Sequence, residues 1–437
     1  LSLPGKPGGP CAINCWCWGC VPVRERRGDI QISAMTPVRS SLALVLVFCS
    51  AETLSMAGFA LVPSLLPKFT VHWDLSATQG GWLSGIFFLG YILAVPLLVS
   101  LTDRLDARRV YLACAALSGL ALAGYALFAH SFEAALFWWW LAGLGLAGTY
   151  MPGLKALTDR LPVTAQSRGT AFYTATFGVG AGLSYLWVEL TQPFFTWPVL
   201  FGIAALCAAV AVVLVCLWVA AGESAPVTHV AHDRWSSVLR NRRILAFSGA
   251  YFGHNWELFG FRGWLVTFLT WTHATNPDAW TSMPGLIAAL ATFLAVPASI
   301  LGNEGAHRWG RRRWLTSVMP LSGGLALLVA LSGGQAASLL VPLLLIYAAS
   351  MNLDSAALTA GLLTETAPEL RGTALAFYST IGFAGGFVGP VVFGMALDTF
   401  GRGNQTGWAA GFVTLAAGVG FGRWAIGRIK PLLASPG

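Results

Sequence analysis

The stretch GAYFGHNWELFGFRGWLVTFL, from Gly249 to Leu269, is apolar apart from a small set of polar residues that includes His254, Asn255, Glu257 and Arg262. It is long enough to cross a bilayer as a helix, which takes about 20 residues. An ionisable side chain at that depth costs at least about 2.5 to 3.5 kcal/mol on insertion scales, so its presence points to function. Glu52 interrupts a second such run, Ser40 to Val62, and Asp354 a third, Leu339 to Leu363. Three acids in apolar runs suggest proton or substrate handling.

The whole chain has the same character. Hydrophobic residues make up 56% and charged residues only 10%, with a mean hydropathy of +0.67. A soluble domain carries roughly 25% charge, so these values exclude an ordinary soluble core. The net charge of +8 does not indicate nucleic acid, because the basic residues fall in short clusters between apolar runs. No Walker A sequence, metal-ligand helix or nucleophile motif is present, which argues against primary pumps and enzymes. No cofactor or metal is expected.

About twelve segments follow Met35, each near the bilayer-spanning length. The expected spans are 41–66, 79–100, 110–129, 134–156, 169–190, 197–219, 244–270, 281–302, 314–332, 338–363, 373–397 and 408–427. The organisation predicted is a non-native or disordered extension at 1–34, a six-helix bundle at 35–219, a linker at 220–242, and a second bundle with a short tail at 243–437. Cys11, Cys15, Cys17 and Cys20 in the extension match no standard zinc spacing.

Lysine and arginine set the expected orientation. Arg104, Arg108 and Arg109 share one connection, Arg160 and Arg168 the next alternate one, and Arg308, Arg311, Arg312 and Arg313 another. With twelve alternating helices these all fall on one side, which the positive-inside rule places in the cytoplasm with both termini. The membrane expected is the bacterial inner membrane.

The two bundles repeat each other. Arg168-Gly169-Thr170-Ala171, followed by Phe172-Tyr173, recurs as Arg371-Gly372-Thr373-Ala374, followed by Phe377-Tyr378. Ala156-Leu157-Thr158 recurs as Ala357-Leu358-Thr359, and Glu52 lies at much the same depth in segment 1 as Glu257 in segment 7. Parallel repeats with substrate bound between them are a transporter architecture.

With these features the chain resembles the major facilitator superfamily. The loop after segment 2 in that family has the form G-x-x-x-D-R-x-G-R-R; here Val99 to Arg109 reads VSLTDRLDARR, matching at Asp103, Arg104 and Arg108. The second copy, NEGAHRWGRRR from Asn303 to Arg313, retains Arg308, Gly310, Arg311 and Arg312, with His307 in place of the acid. The resemblance implies an all-α membrane protein of twelve helices in two pseudo-symmetric bundles, with segments 1, 4, 7 and 10 around a central cavity. It also implies that Asp103 meets the start of segment 11 and so stabilises the state closed to the cytoplasm; Arg104, Arg108, Arg308, Arg311 and Arg312 suit either this gate or an anchor of the topology. Gly178, Gly180 and Gly182, with Gly385, Gly386, Gly389 and Pro390, would let the halves approach, although ordinary close packing explains them equally. The stretches MPGLKALTDRLP, HNWELFGFR and NLDSAALTAG are similar to bacterial carriers grouped with cyanate, nitrate and nitroimidazole facilitators.

Glu52, His254, Asn255, Glu257 and Arg262 form the expected coupling site. His254 and Glu257, three apart, share a helix face. Arg262 keeps its charge, so it suits either an anionic substrate or compensation of a nearby acid. Lys155 and Asp354 suit either a gating pair or, for the lysine, an interfacial anchor. Trp256, Trp264, Tyr150 and Tyr347 are candidates to stack on substrate. The function expected is secondary transport of a small organic molecule or anion by a monomer, coupled to protons; a passive uniporter and a transporter-like sensor are the alternatives.

Overall fold

A computed structural model describes residues 40–102, 104–222, 233–332 and 337–428. The expected extension at 1–34 and Asp103 lie outside these residues. Twelve long helices follow one another: α1 (Ser41–His72), α2 (Ala77–Thr102), α3 (Ala107–Phe128), α4 (Phe132–Thr158), α5 (Val163–Thr191), α6 (Trp197–Trp218), α7 (Arg242–Thr275), α8 (Pro284–Trp309), α9 (Arg311–Leu331), α10 (Ser338–Glu365), α11 (Pro368–Phe400) and α12 (Gln405–Gly427). A short helix, Asp233–Arg240, precedes α7. Among the described residues, nine of the twelve are long and apolar enough to cross a membrane; α4, α5 and α7 complete the set.

Several helices run past the expected spans because side chains satisfy their first amides. Asn241 Oδ1 accepts from the N–H groups of Arg243 and Ile244 at 3.0 and 3.3 Å, starting α7 at Arg242. Ser131 caps α4 and Asn404 caps α12 in the same way.

Two of the helices bend where polar groups compensate the broken backbone ladder. A 3-10 turn at Met56–Gly58 interrupts α1, and the Ala57 carbonyl accepts from Ser184 Oγ at 2.8 Å and Trp187 Nε1 at 2.9 Å. A turn at 351–354 interrupts α10, and Trp314 Nε1 donates to the Leu353 carbonyl at 2.9 Å. Irregular backbone at membrane depth is tolerated when protein groups satisfy it in this way.

Within the first half α3 packs on α4 and α6, and α2 on α4; within the second, α7 packs on α11 and α12, and α9 on α12. Lipid gives helices no hydrophobic reason to associate, so close approach through small residues must hold them. Gly385 and Gly389 of α11 seat against the Phe252 and Trp256 carbonyls of α7, where an added Cβ would lie 2.0 and 2.3 Å away. Gly386 meets the Phe259 ring and Gly180 meets Met56, each inside its own half.

The halves join along two related seams. In one, Gly81 and Gly85 of α2 approach the Pro390 and Phe387 carbonyls of α11. In the other, Gly178 and Gly182 of α5 approach Val296 and Phe293 of α8. Both seams lie toward the ends of the helices away from the arginine-rich loops. Toward those loops Phe172 and Leu97 are exposed, and nothing lies within 4 Å of the position of a Cβ on Gly372.

Candidate functional site

Glu52 and Glu257 are both 0% exposed, and each is enclosed by its own half. Tyr173 of α5 lies 3.2 Å from Glu52 Oε2 and also donates to the Thr149 carbonyl at 2.9 Å, while Glu52 Oε1 has no partner among the described residues. Ser322 of α9 and Tyr347 of α10 donate to Glu257 Oε1 at 2.5 and 3.1 Å, and Glu257 Oε2 likewise has no described partner. In this conformation hydroxyls of each acid's own bundle hold it. Tyr347, 0% exposed, holds Glu257 and is not placed to stack on a substrate. Trp264 likewise spends its indole N–H on the Pro390 carbonyl, at 2.9 Å.

His254 and Asn255 are equally buried. His254 Nδ1 lies 2.7 Å from Asp354 Oδ1, an ion-pair distance without the alignment of a hydrogen bond. This contact joins α7 to the broken turn of α10. Lys155 binds Asp159 Oδ2 one helical turn away, at 3.0 Å. The expected Lys155 to Asp354 pair is thus not formed in this conformation, because each partner has a nearer one in its own half.

Arg262 is placed differently. It is 8% exposed and lines a narrow cleft with Tyr185 of α5, Thr292 of α8, and Met351 and Asn352 of α10. Tyr185 crosses between the halves to donate to the Arg262 carbonyl at 3.0 Å. The guanidinium stands over the Phe259 ring, 5.9 Å from its centroid, and among the described residues it makes no ion pair. A cation buried without a partner carries a large desolvation cost.

The loop arginines act within each half. Arg108 donates to the Cys216 carbonyl at the end of α6 at 2.9 Å, and Arg312 donates to the Gly427 carbonyl at the end of α12 at 3.0 Å. Cations at helix C-termini are favoured by the orphan carbonyls there. Arg308 pairs with Glu304 on the surface, Arg311 binds Thr364 at 3.0 Å, and Arg104 is exposed.

Sequence reasoning passed over Asp106, which stands where the family's loop has a glycine. Asp106 caps α3, receives Arg160 Nη2 at 2.8 and 2.9 Å, and accepts from the Gly222 N–H at 2.8 Å. Burial alone would raise its carboxyl, but the bonds from Arg160, Gly222 and Arg108, with the Arg160 charge, hold it below its ordinary range.

Two repeated bundles, seams between equivalent helices, and paired arginines at equivalent helix ends define the architecture. The model of the Major Facilitator Superfamily matches residues 48–390. The chain belongs to the major facilitator superfamily. Its fold is also that of solved superfamily transporters. A bacterial homolog of the human lysosomal transporter Spinster, inward-facing and unoccupied, aligns with TM-score 0.74 and 16% identity over 90% of this chain and 98% of that one. The nucleoside transporter NupG, in a mutant form, aligns with TM-score 0.71 and 15% identity over 88% of this chain and 98% of that one. In sequence, the niacin transporter NiaP of Acinetobacter baylyi is 24% identical over 146 residues, 33% of each chain, so the match spans about a third of that relative's length. This facilitator is a multi-pass membrane protein of that superfamily.

Proposed function

We propose that this facilitator carries a small organic anion across the bacterial inner membrane by alternating access, coupled to protons. The observation that carries the proposal is Arg262: a buried guanidinium without an ion pair among the described residues, in a cleft lined by the second half and closed by Tyr185 of the first. A substrate carboxylate or comparable anion would supply the missing charge, and Tyr185, Thr292 and Asn352 offer polar groups for orientation. Because the cleft spans the seam, an anion bound there senses both halves and can bias their relative position. The niacin named for the Acinetobacter relative is a carboxylic acid, which is consistent with this class.

By the positive-inside rule the open, arginine-rich side is the cytoplasmic one, so the conformation is read as open inward. Glu257 supplies the proton site. Among the described residues no cation pairs with it and one of its oxygens has no partner, and maintaining a bare charge at this depth is costly. A proton on Glu257 removes that cost, and the His254 to Asp354 contact ties the same stretch of α7 to the turn of α10.

The test is uptake by proteoliposomes of a panel of labelled monocarboxylates, niacin among them, with cationic and neutral analogues as controls. Uptake of at least one anion and its loss in Arg262→Met are expected, with a drop of about 100-fold for a removed buried charge contact worth about 3 kcal/mol. Wild-type uptake by Arg262→Met, or transport of cations alone, would overturn the proposal.

A further inference from the structure

On the side where the halves meet, two carboxylates stand at helix starts of the opposite half. Asp398, near the end of α11, accepts from the N–H groups of Ala77 and Thr78 at the start of α2, at 3.0 and 2.7 Å. The Thr78 hydroxyl adds a third bond at 2.7 Å. Glu189, near the end of α5, accepts from the Gly285 N–H at the start of α8, at 3.1 Å. Helices 2 and 8 are equivalent in the repeat, as are 5 and 11, so the two contacts join equivalent helix pairs, although Glu189 and Asp398 are not themselves at equivalent positions.

The amide accounting shows what the Asp398 contact does. A helix start leaves its first N–H groups without partners. Ser76 Oγ accepts from the Gln79 N–H at 3.1 Å, and Gln79 Oε1 accepts from the Ser76 N–H at 2.8 Å, a capping box that leaves Ala77 and Thr78 unsatisfied. Asp398 satisfies both from the other half. Arg402 holds the carboxylate at 3.0 Å and reaches the Leu75 carbonyl at 3.1 Å, closing the contact from both directions. The Glu189 copy is thinner. Gln192 steadies its carboxylate at 2.9 Å, and Gly285 admits it because a Cβ would lie 2.5 Å from Oε2.

We infer that Asp398 and Glu189 form a two-part outer lock, of unequal strength, that keeps this transporter closed on the side away from the arginine-rich loops. The inference rests on the alternating-access reading. Opening outward separates α2 from α11 and α5 from α8, so it must withdraw each carboxylate from a helix start where charge and orphan amides favour it. Tyr185 and Glu189 lie four apart on one face of α5. A ligand at Arg262 would therefore act next to the weaker half of the lock.

Accessibility tests this without any substrate. Ala288, buried in the cleft, is replaced by cysteine in a background lacking the native cysteines, and labelling by a membrane-impermeant maleimide is timed from the non-cytoplasmic side. Asp398→Asn should speed labelling about ten-fold, the worth of one charge-assisted contact, and Glu189→Gln by a smaller factor. Thr78→Ala, which removes one bond from the opposite half and leaves α11 intact, should shift the rate the same way by a few-fold. Unchanged rates in Asp398→Asn and Thr78→Ala would overturn the lock. So would equal effects of Asp398→Asn and Glu189→Gln, since the lock is inferred to be unequal. If Asp398→Asn fails to fold, Thr78→Ala decides. Because labelling needs no transport, failure of the anion reading in uptake assays leaves this measurement intact.

Discussion

Glu52 and Glu257 occupy equivalent helices at similar depth, yet their surroundings differ. Glu52 has one hydroxyl, from Tyr173, that it shares with a backbone carbonyl. Glu257 has two hydroxyls on one oxygen and stands one turn from His254, which contacts Asp354. The duplicated scaffold has placed an acid in each half and tied three helices around it, α1, α4 and α5 in the first and α7, α9 and α10 in the second, but only in the second do two hydroxyls from different helices reach the acid itself. The cleft arginine also belongs to α7, so chemistry is concentrated in one half while the other contributes Tyr185 to the cleft.

The sharpest way to break this comparison is to neutralise each acid in turn. With a gradient of one pH unit and one proton per substrate, coupling supports about ten-fold accumulation, since one unit corresponds to about 1.36 kcal/mol. Glu257→Gln should lose essentially all of that while still exchanging substrate across the membrane. Glu52→Gln should retain most of it. Counterflow and gradient-driven uptake measured side by side decide the matter, and equal losses in the two variants would abolish the asymmetry.

Much of the architecture was legible beforehand. Apolar runs of bilayer length, alternating basic loops and the Arg-Gly-Thr-Ala repeat lead to the family and fold without coordinates. Which way Glu52 and Glu257 face was not legible. A helix apolar on every side has no polar stripe, so periodicity does not separate a bundle interior from an inter-half cleft. Asp398 and Glu189 escape a sequence reading for a related reason: they look like ordinary interfacial residues until the opposite half is in place. The Lys155 to Asp159 spacing of four was readable as a helical pair.

A second contrast concerns stability at the arginine-rich side. Asp106 and Arg160 form a buried pair whose side chains are 4% and 13% exposed, whereas Glu365 and Arg243 are 27% and 37% exposed. Asp106→Ala should cost about 3 kcal/mol, because it leaves Arg160 without its counter-charge, held only by the Ala156 and Ala220 carbonyls, and the Gly222 amide without its acceptor, while Glu365→Ala should cost about 1 kcal/mol or less. The Asp106 carboxyl is lowered in the folded protein. Its contribution is therefore present above the ordinary carboxyl range near about 3.9 and is lost as pH falls through the folded value. Thermal unfolding in detergent across about pH 3 to 7 should show an acid-side loss that is absent in Asp106→Ala. Parallel pH curves for the two proteins would refute this role.

The smallest effect is expected at Lys155. Its side chain is 34% exposed and pairs with Asp159 within one helix, a geometry worth about 0.3 to 0.5 kcal/mol. Lys155→Ala should thus change uptake less than about two-fold, the factor such an energy allows. Asp354→Asn should do more, since it weakens the only described link from His254 to the broken turn of α10. If Lys155 instead meets Asp354 when the protein opens outward, Lys155→Ala would impair uptake as strongly as Asp354→Asn, and exchanging the two residues would restore it. Rescue by the exchange would return the pair to a gating role. Absence of rescue, with Lys155→Ala near wild type, would leave Lys155 as an interfacial charge and confine the functional ionisable network to the second half and its cleft.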